Sequence, residues 1–382
     1  MVIDREREPE RLKGLLQAAD VVVEDLGPGV LEGMGLGYEE LKRVNPGLVL
    51  VRISPFGQDG PYAHRPGDDL IAEAMGGRTL HTSYRKGTPM RLGLPFACYL
   101  GGAMAALSSL IALYYRDAQK TGLGQWMDLA LYEVIFRTRN HGDVQEYGLF
   151  GVEHRHERSE TSGGIYLTKD GAWISIGIVE DTPFFFVARA MGRDDLLYDP
   201  RFEVRAKRIE NAEALDEAVR PWVAEHTRQE VAAALKAVEG RSQDALDRAG
   251  EIIHLLSIED IFKDPQHQYR RSIIEVNDPV LGPVKMPGVF PRLSLTPGEV
   301  ERPAPLLGEH NEEVFARWGP RPRVAASAPS PSPTRALEGL TILDAGVLAA
   351  GPYGPTLLGD FGALVIKIEQ PYIGDRKRDF LR

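Results

Sequence analysis

Leu337-Glu-Gly-Leu-Thr-Ile-Leu-Asp-Ala-Gly-Val-Leu-Ala-Ala-Gly-Pro352, followed by Leu357-Leu-Gly-Asp-Phe-Gly-Ala-Leu-Val-Ile-Lys-Ile-Glu369, holds an apolar run, a glycine-rich turn, a helical spacing and a second apolar run. That reads strand, turn, helix, strand. Two strands joined through a helix run parallel, and a parallel pair needs further strands and cover on both faces. Its partners are expected upstream. Asp20-Val-Val-Val-Glu24 is a short apolar strand ending in the turn Leu26-Gly-Pro-Gly29. The helical stretch Tyr38 to Val44 leads through Asn45-Pro-Gly47 into Leu48-Val-Leu-Val-Arg-Ile-Ser54, and Gly122-Leu-Gly124 turns the chain into Trp126-Met-Asp-Leu-Ala-Leu131. The first part of the chain is therefore alternating α/β.

From Gly163 the texture changes. Ile165-Tyr-Leu-Thr168 and Ala172-Trp-Ile-Ser-Ile-Gly177 flank Asp170-Gly171, a hairpin signal, and helices rich in Ala, Glu and Arg follow to about Glu239. We expect a large domain over 1–162, a small α+β domain over 163–290, a return to the large domain over 291–319, a linker over 320–336 rich in Pro, Ala and Ser, and a βαβ unit over 337–382. Proline-rich linkers are extended at about 3.1 Å per residue, enough for this one to carry the last unit back to the first. The fold class is α/β, a large domain with a parallel sheet plus a smaller α+β domain.

The formal charge of -10 is spread without long like-charge blocks, which argues against a nucleic-acid partner. An anionic ligand would need local Arg, Lys or backbone N–H groups. A single cysteine, Cys98, excludes an internal disulfide and a cysteine-rich zinc site and fits a reducing cytoplasm, as does a charged start without a signal peptide. Ala97 to Tyr115 is uncharged and approaches the roughly 20 residues of a membrane span, but it holds Gly101, Gly102, Ser108 and Ser109 and lacks a flanking basic cluster. We read it as a buried helix, with no membrane. His154-Arg-His156 lacks a third ligand, so no metal is expected.

No phosphate loop, nucleophile elbow or His-Glu-x-x-His motif occurs. The Gly27-Pro-Gly29 turn could admit a phosphate against its backbone or be purely structural. Cys98 lies in Leu92-Gly-Leu-Pro-Phe-Ala-Cys-Tyr-Leu-Gly-Gly102, where a loop enters a helix. The helix dipole there would lower its pKa and favour the thiolate; the alternative is a buried, inert cysteine, and no His stands close in sequence as a base.

Ala19-Asp-Val-Val-Val-Glu-Asp-Leu-Gly-Pro-Gly-Val-Leu31, Leu36-Gly-Tyr-Glu-Glu-Leu41, Asn45-Pro-Gly-Leu-Val49, Phe56-Gly-Gln-Asp-Gly-Pro-Tyr62, Arg65-Pro-Gly67, Thr121-Gly-Leu-Gly-Gln125 and Leu307-Gly-Glu-His310 resemble, in order, the family III CoA-transferases. That group includes formyl-CoA transferase, carnitine CoA-transferase and α-methylacyl-CoA racemase. The block from Leu337 to Glu369 resembles the family's N-terminus, with Asp344 and Ala350-Gly-Pro352 at its glycine turn. The opening unit thus stands behind the body, as in a circular permutation or, our preferred expectation, a piece of a tandem fusion.

The resemblance implies a Rossmann-like large domain binding acyl-CoA in a cleft, a small domain over it, and an interlaced dimer. The partners it implies are acyl-CoA, a small carboxylic acid, and a second copy or second module. CoA thioester is the substrate, with no permanently bound cofactor. It puts the CoA-binding turn at Asp25, Leu26 and Gly27, further contacts at Val347 and Ala349, and the adenosine side near Gln370. Arg65, Arg85, Lys86 and Arg91 are candidate cations for the phosphates. The family's flexible active-site loop would fall at Ser162, Gly163 and Gly164.

The family's catalytic aspartate stands in a pattern close to Pro-x-x-Ala-Asp-x-x-Gly-Gly, and Cys98 occupies its position here. In the transferase mechanism that carboxylate attacks the thioester, forms a mixed anhydride and then holds CoA as an aspartyl thioester. Cysteine closes that route. The expected function is an acyl-CoA-binding family III protein with CoA transfer at family level. The alternatives are a non-catalytic module of a two-module CoA-transferase and a Cys98-dependent acyl-CoA thioesterase or acyltransferase. The racemase branch pairs its aspartate with a histidine where this chain has Asp68, so racemisation is not expected.

Overall fold

The structure, a computed structural model, describes residues 9–82, 88–138, 141–151, 163–178, 181–239, 253–318, 333–372 and 374–375. The chain forms two compact units, residues 1–156 with 306–382, and residues 157–305.

In the first unit β1 (Val21–Glu24), β2 (Val49–Ser54) and β3 (Trp126–Ala130) make a parallel sheet in that order, with Val21 opposite Val49 and Leu50 opposite Trp126. The central strand β2 is apolar without alternation because both of its faces are covered. Leu48 and Leu50 meet Leu16, Leu31, Tyr38 and Leu41 on one side, while Val49 and Val51 meet Ala72, Ala97, Ala105 and Ile135 on the other. Small residues let the covering helices approach closely. A Cβ on Gly101, in the helix Phe96–Leu113, would lie 2.4 Å from Leu131 Cδ2 of the helix Leu131–Arg137.

The buried helix expected over Ala97 to Tyr115 forms as Phe96–Leu113 and is buried on one face. Ala97, Ala105, Ile111 and Ala112 are buried, whereas Tyr99 and Leu110 are about two-thirds exposed at 67% and 65%. By length and composition alone this is the one helix among the described residues that could cross a membrane.

The second unit opens with β4 (Gly163–Leu167) and β5 (Trp173–Gly177), the antiparallel hairpin read from the sequence, extended by β6 (Ile253–His254). Helices Asp181–Ala190, Ala212–Glu225 and Arg228–Glu239 cover its buried Tyr166, Ile174 and Ile176. The Tyr166 hydroxyl donates to Asp216 Oδ1 at 2.6 Å, and burial raises its pKa well above the ordinary phenol value. A second antiparallel pair, β7 (Ile273–Asp278) and β8 (Gly282–Pro287), leads into a stretch where Phe290 and Leu295 are 87% and 92% exposed.

The terminal block, in the first unit, folds as β9 (Thr341–Asp344), a helix (Ala350–Asp360) and β10 (Leu364–Lys367), with Leu364 opposite Thr341 in a parallel pair. These two strands form their own sheet and do not extend β1–β2–β3. The upstream partners expected for them are packing partners only. Leu337, Leu358 and Ala363 pack with Leu107, Ile111 and Tyr114, the Gln119 amide donates to the carbonyls of Ala336 and Glu338 at 3.0 Å each, and Arg137 pairs with Asp360 at 2.5 Å.

Candidate functional site

Parallel sheets present their binding crevices at the carboxyl ends of the strands. Here β1 ends in the turn Asp25 to Gly29, β2 ends in Pro55-Phe-Gly57, and β3 runs directly into the helix Leu131–Arg137. Gly27 and Gly29 hold φ of 94° and 81°, a left-handed geometry that favours glycine, and nothing lies within 4 Å of where either Cβ would be. The backbone of this turn is open. It is also braced, because Arg52 of β2, 6% exposed, directs Nε to Glu24 Oε1 at 2.7 Å and forks onto Glu32 at 2.8 and 3.1 Å. Glu24 uses its other oxygen to accept the Leu26 N–H at 2.7 Å. Burying a guanidinium is costly unless its hydrogen bonds are met, and two carboxylates meet them. Burial pushes the Glu32 carboxyl up, but the bonds and charge of Arg52 outweigh it and hold it below the ordinary value.

Cys98 lies in the first turn of its helix, one turn before Gly101, and so stands near the carboxyl end of β3. Facing it is the helix Asp69–Met75, capped by Asp68, whose Oδ1 accepts the Ile71 N–H at 3.0 Å. Asp69 Oδ1 accepts the backbone N–H of Cys98 at 2.9 Å. One turn on, Glu73 Oε2 accepts from Leu92 N–H at 3.4 Å. The thiol is exposed, so it is not an inert core cysteine. Its pKa moves opposite to expectation. Partial desolvation raises it, then hydrogen bonding to Asp69 and the charges of Asp69 and Asp68 raise it further. Burial and the two nearby carboxylates thus disfavour the thiolate.

Arg65 stacks over the Tyr62 ring at 4.0 Å, and Tyr62 meets Phe56 edge-on at 5.9 Å, which puts this cation on the loop after β2. Arg91 stands by the Asp69–Glu73–Cys98 group, where its charge favours the ionised form of Glu73. Val347 and Ala349 are exposed in the turn after β9, and Gln370 is exposed beyond β10. The contacts that tie their block to the body run through Ile111, Gln119 and Arg137. Gly163 and Gly164, where the resemblance implied a flexible loop, are ladder residues of β4 opposite Gly177 and Ile176, held by backbone pairing. Ser162, Arg85, Lys86, His154 and His156 lie outside the described residues.

The sequence reading missed Asp69, Glu73 and the Glu24–Arg52–Glu32 brace. The Asp69–Glu73 spacing of four was visible as a one-face carboxyl pair, but its meeting with Cys98 was not. Among the described residues no group of three or more side chains is arranged to hold a metal.

The sequence profile described as CoA-transferase family III matches residues 2–311 and 337–381. The succinyl-CoA--D-citramalate CoA-transferase of Chloroflexus aurantiacus is 38% identical over 311 residues, 80% of this chain and 73% of that protein. The succinyl-CoA--L-malate CoA-transferase beta subunit of the same organism is 36% identical over 310 residues, 79% and 73% of the two chains. The crystal structure of a CAIB/BAIF family protein from Brucella suis superposes with a TM-score of 0.69 at 26% identity, covering 82% of this chain and 79% of the other. With the profile spanning both the body and the terminal block, and the fold shared with a solved relative, the chain belongs to CoA-transferase family III.

Proposed function

We propose that this chain is an acyl-CoA-binding member of a two-module CoA-transferase, in which a partner module carries the catalytic carboxylate that Cys98 replaces here. The observation that carries the reading is Cys98 itself, an exposed cysteine whose backbone N–H binds Asp69 at the carboxyl edge of the sheet and whose surroundings disfavour the thiolate. An aspartate can hold CoA because it owns a carbonyl carbon for the CoA sulfur to attack. A cysteine owns none. It can accept the acyl group as a thioester and must then return it to CoA or lose it to another acceptor, so CoA never passes to a second acid through this residue.

The binding site of this reading consists of the open turn Asp25 to Gly27, with Arg65 and Arg91 as cations for the phosphates, and Val347, Ala349 and Gln370 supplied by a terminal block of this chain or of its partner. The name of one relative, a beta subunit, supports an enzyme built from unlike chains. The exposed Phe290 and Leu295 support a partner surface. A cytoplasmic location agrees with the lone cysteine and with a CoA substrate.

Succinyl-CoA, which both quoted relatives are named for, is the first probe. The wild-type chain should bind it in calorimetry while moving no CoA to labelled succinate, and Cys98→Asp should gain that exchange. Exchange by the wild type alone would overturn the reading, as would an acyl adduct on Cys98 that turns over, seen by intact mass.

A further inference from the structure

Glu73 is a buried carboxyl that the reading above leaves unused. It is 1% exposed and stands one helical turn after Asp69, on the same face. Its Oε2 has one long bond, from Leu92 N–H at 3.4 Å. Its Oε1 has no donor, and neither has Asp69 Oδ2, although both oxygens are withdrawn from solvent. The two carboxyls are within hydrogen-bonding reach of each other.

Two ionised carboxylates in that position would lose hydration and repel each other with no donor between them. One proton between Asp69 Oδ2 and Glu73 Oε1 supplies the missing donor to both oxygens in a single charge-assisted bond. We propose that Asp69 and Glu73 share one proton, and that Glu73 is thereby the positioning residue that holds Asp69 against the backbone N–H of Cys98. The direction of the Glu73 pKa agrees. Burial raises it, the Leu92 bond opposes, and Asp69 raises it again, with Arg91 a lesser opposing influence.

The groups facing the pair are Cys98 and Arg91. The other charged or titratable residues on the elements packed against its helix are Tyr99 on Phe96–Leu113, Arg78 and His81 on Arg78–His81, and Tyr132, Glu133 and Arg137 on Leu131–Arg137. The pair therefore carries one negative charge where the sequence shows two acids. That single charge is what the carboxylate of an acceptor acid meets at Cys98, so the shared proton sets how strongly the site repels it. This functional weight rests on the acyl-CoA reading; the shared proton does not.

Infrared difference spectra of the full chain at neutral pH should show the carbonyl stretch of a protonated carboxylic acid, lost in Glu73→Gln and kept in Cys98→Ser. Gln is a neutral donor like the protonated acid, so Glu73→Gln keeps one charge at the site. Its pH profile for Cys98 alkylation by iodoacetamide should stay on the wild-type curve. Asp69→Asn leaves the single charge on Glu73, one helical turn farther from Cys98, and alkylation at neutral pH should rise, about tenfold for each pKa unit by which the thiol falls. Absence of the carboxylic acid band overturns the proposal, and so does a Glu73→Gln profile shifted as far as that of Asp69→Asn, the behaviour of two ionised acids. Succinyl-CoA binding is measured separately on the wild type. Its failure would remove the acyl-CoA reading while the band and the two profiles still decide the shared proton.

Discussion

In the body, Glu24 ends β1 opposite Arg52 of β2; in the terminal block, Asp344 ends β9 opposite Lys367 of β10. Each cation lies between two acids. Arg52 joins Glu24 to Glu32, and Lys367 joins Asp344 to Asp375 at 3.2 and 3.1 Å. Each brace also holds the turn after its first strand, through Leu26 N–H on Glu24 in one case and through Gly346 and Leu348 N–H on Asp344 and Asp375 in the other. The cations differ in kind and in surroundings. The Arg52 side chain is 7% exposed and forks in a plane, whereas Lys367 is 25% exposed and gives one bond to the Gly346 carbonyl. The strands differ likewise, with Leu50 of β2 fully buried and Leu364 of β10 60% exposed. A planar fork suits a three-stranded sheet that excludes water, and a hydrated ammonium suits a two-stranded one.

The strongest way to break this comparison is to remove the cations. Arg52→Leu leaves Glu24 buried without a counter-charge and should cost about 3–5 kcal/mol in urea unfolding. Lys367→Met leaves Asp344 and Asp375, 6% and 7% exposed, without their cation, but water already reaches the 25% exposed ammonium, so the cost should be smaller, about 2–3 kcal/mol. Equal losses would show that the two braces are equivalent. A middle test compares like with like, since Leu50→Ala should cost about 3 kcal/mol and Leu364→Ala less than about 1 kcal/mol. A loss at Leu364 as large as at Leu50 would mean that a partner strand covers β10 in solution.

The smallest effect is in pH, where the two braces part in sign. The Glu32 carboxyl is held below its ordinary value because Arg52 outweighs burial, so its contribution is present above the ordinary carboxylate range and is lost as pH falls through the depressed value. Burial pulls the Lys367 ammonium down, but Asp375 and Asp344 outweigh that and raise it. Its contribution is complete below the ordinary ammonium value and is lost as pH rises through the raised one. In alkali the Leu348 amide should lose hydrogen-exchange protection while Leu26, braced by a guanidinium that keeps its charge, should not. A Leu26 amide that opens alongside Leu348 would refute this assignment. Both groups are partly solvated, so added salt should shrink the effects.

The strands were legible because apolar runs bounded by glycine turns are a local property, as Val49 to Val51 and Ile342 to Leu343 show. The place of Cys98 where a loop enters a helix was legible for the same reason. Its charge state was not, because a helix N-terminus is visible in the chain while Asp69 approaches from another helix. The loop that the family resemblance implied at Gly163 and Gly164 is a paired strand here, since nothing local announces a ladder partner at Gly177.

Local order along the chain was thus enough for the βα units, the open glycine turn, the family and the place of Cys98 where a loop enters a helix. Folding alone decided that Glu24 faces Arg52, that β9 and β10 stand apart from the larger sheet, and that Asp69 and Glu73 meet behind Cys98. Such pairings depend on which distant residues lose their water together, and electrostatic and packing energies follow that distance and dryness rather than separation along the chain.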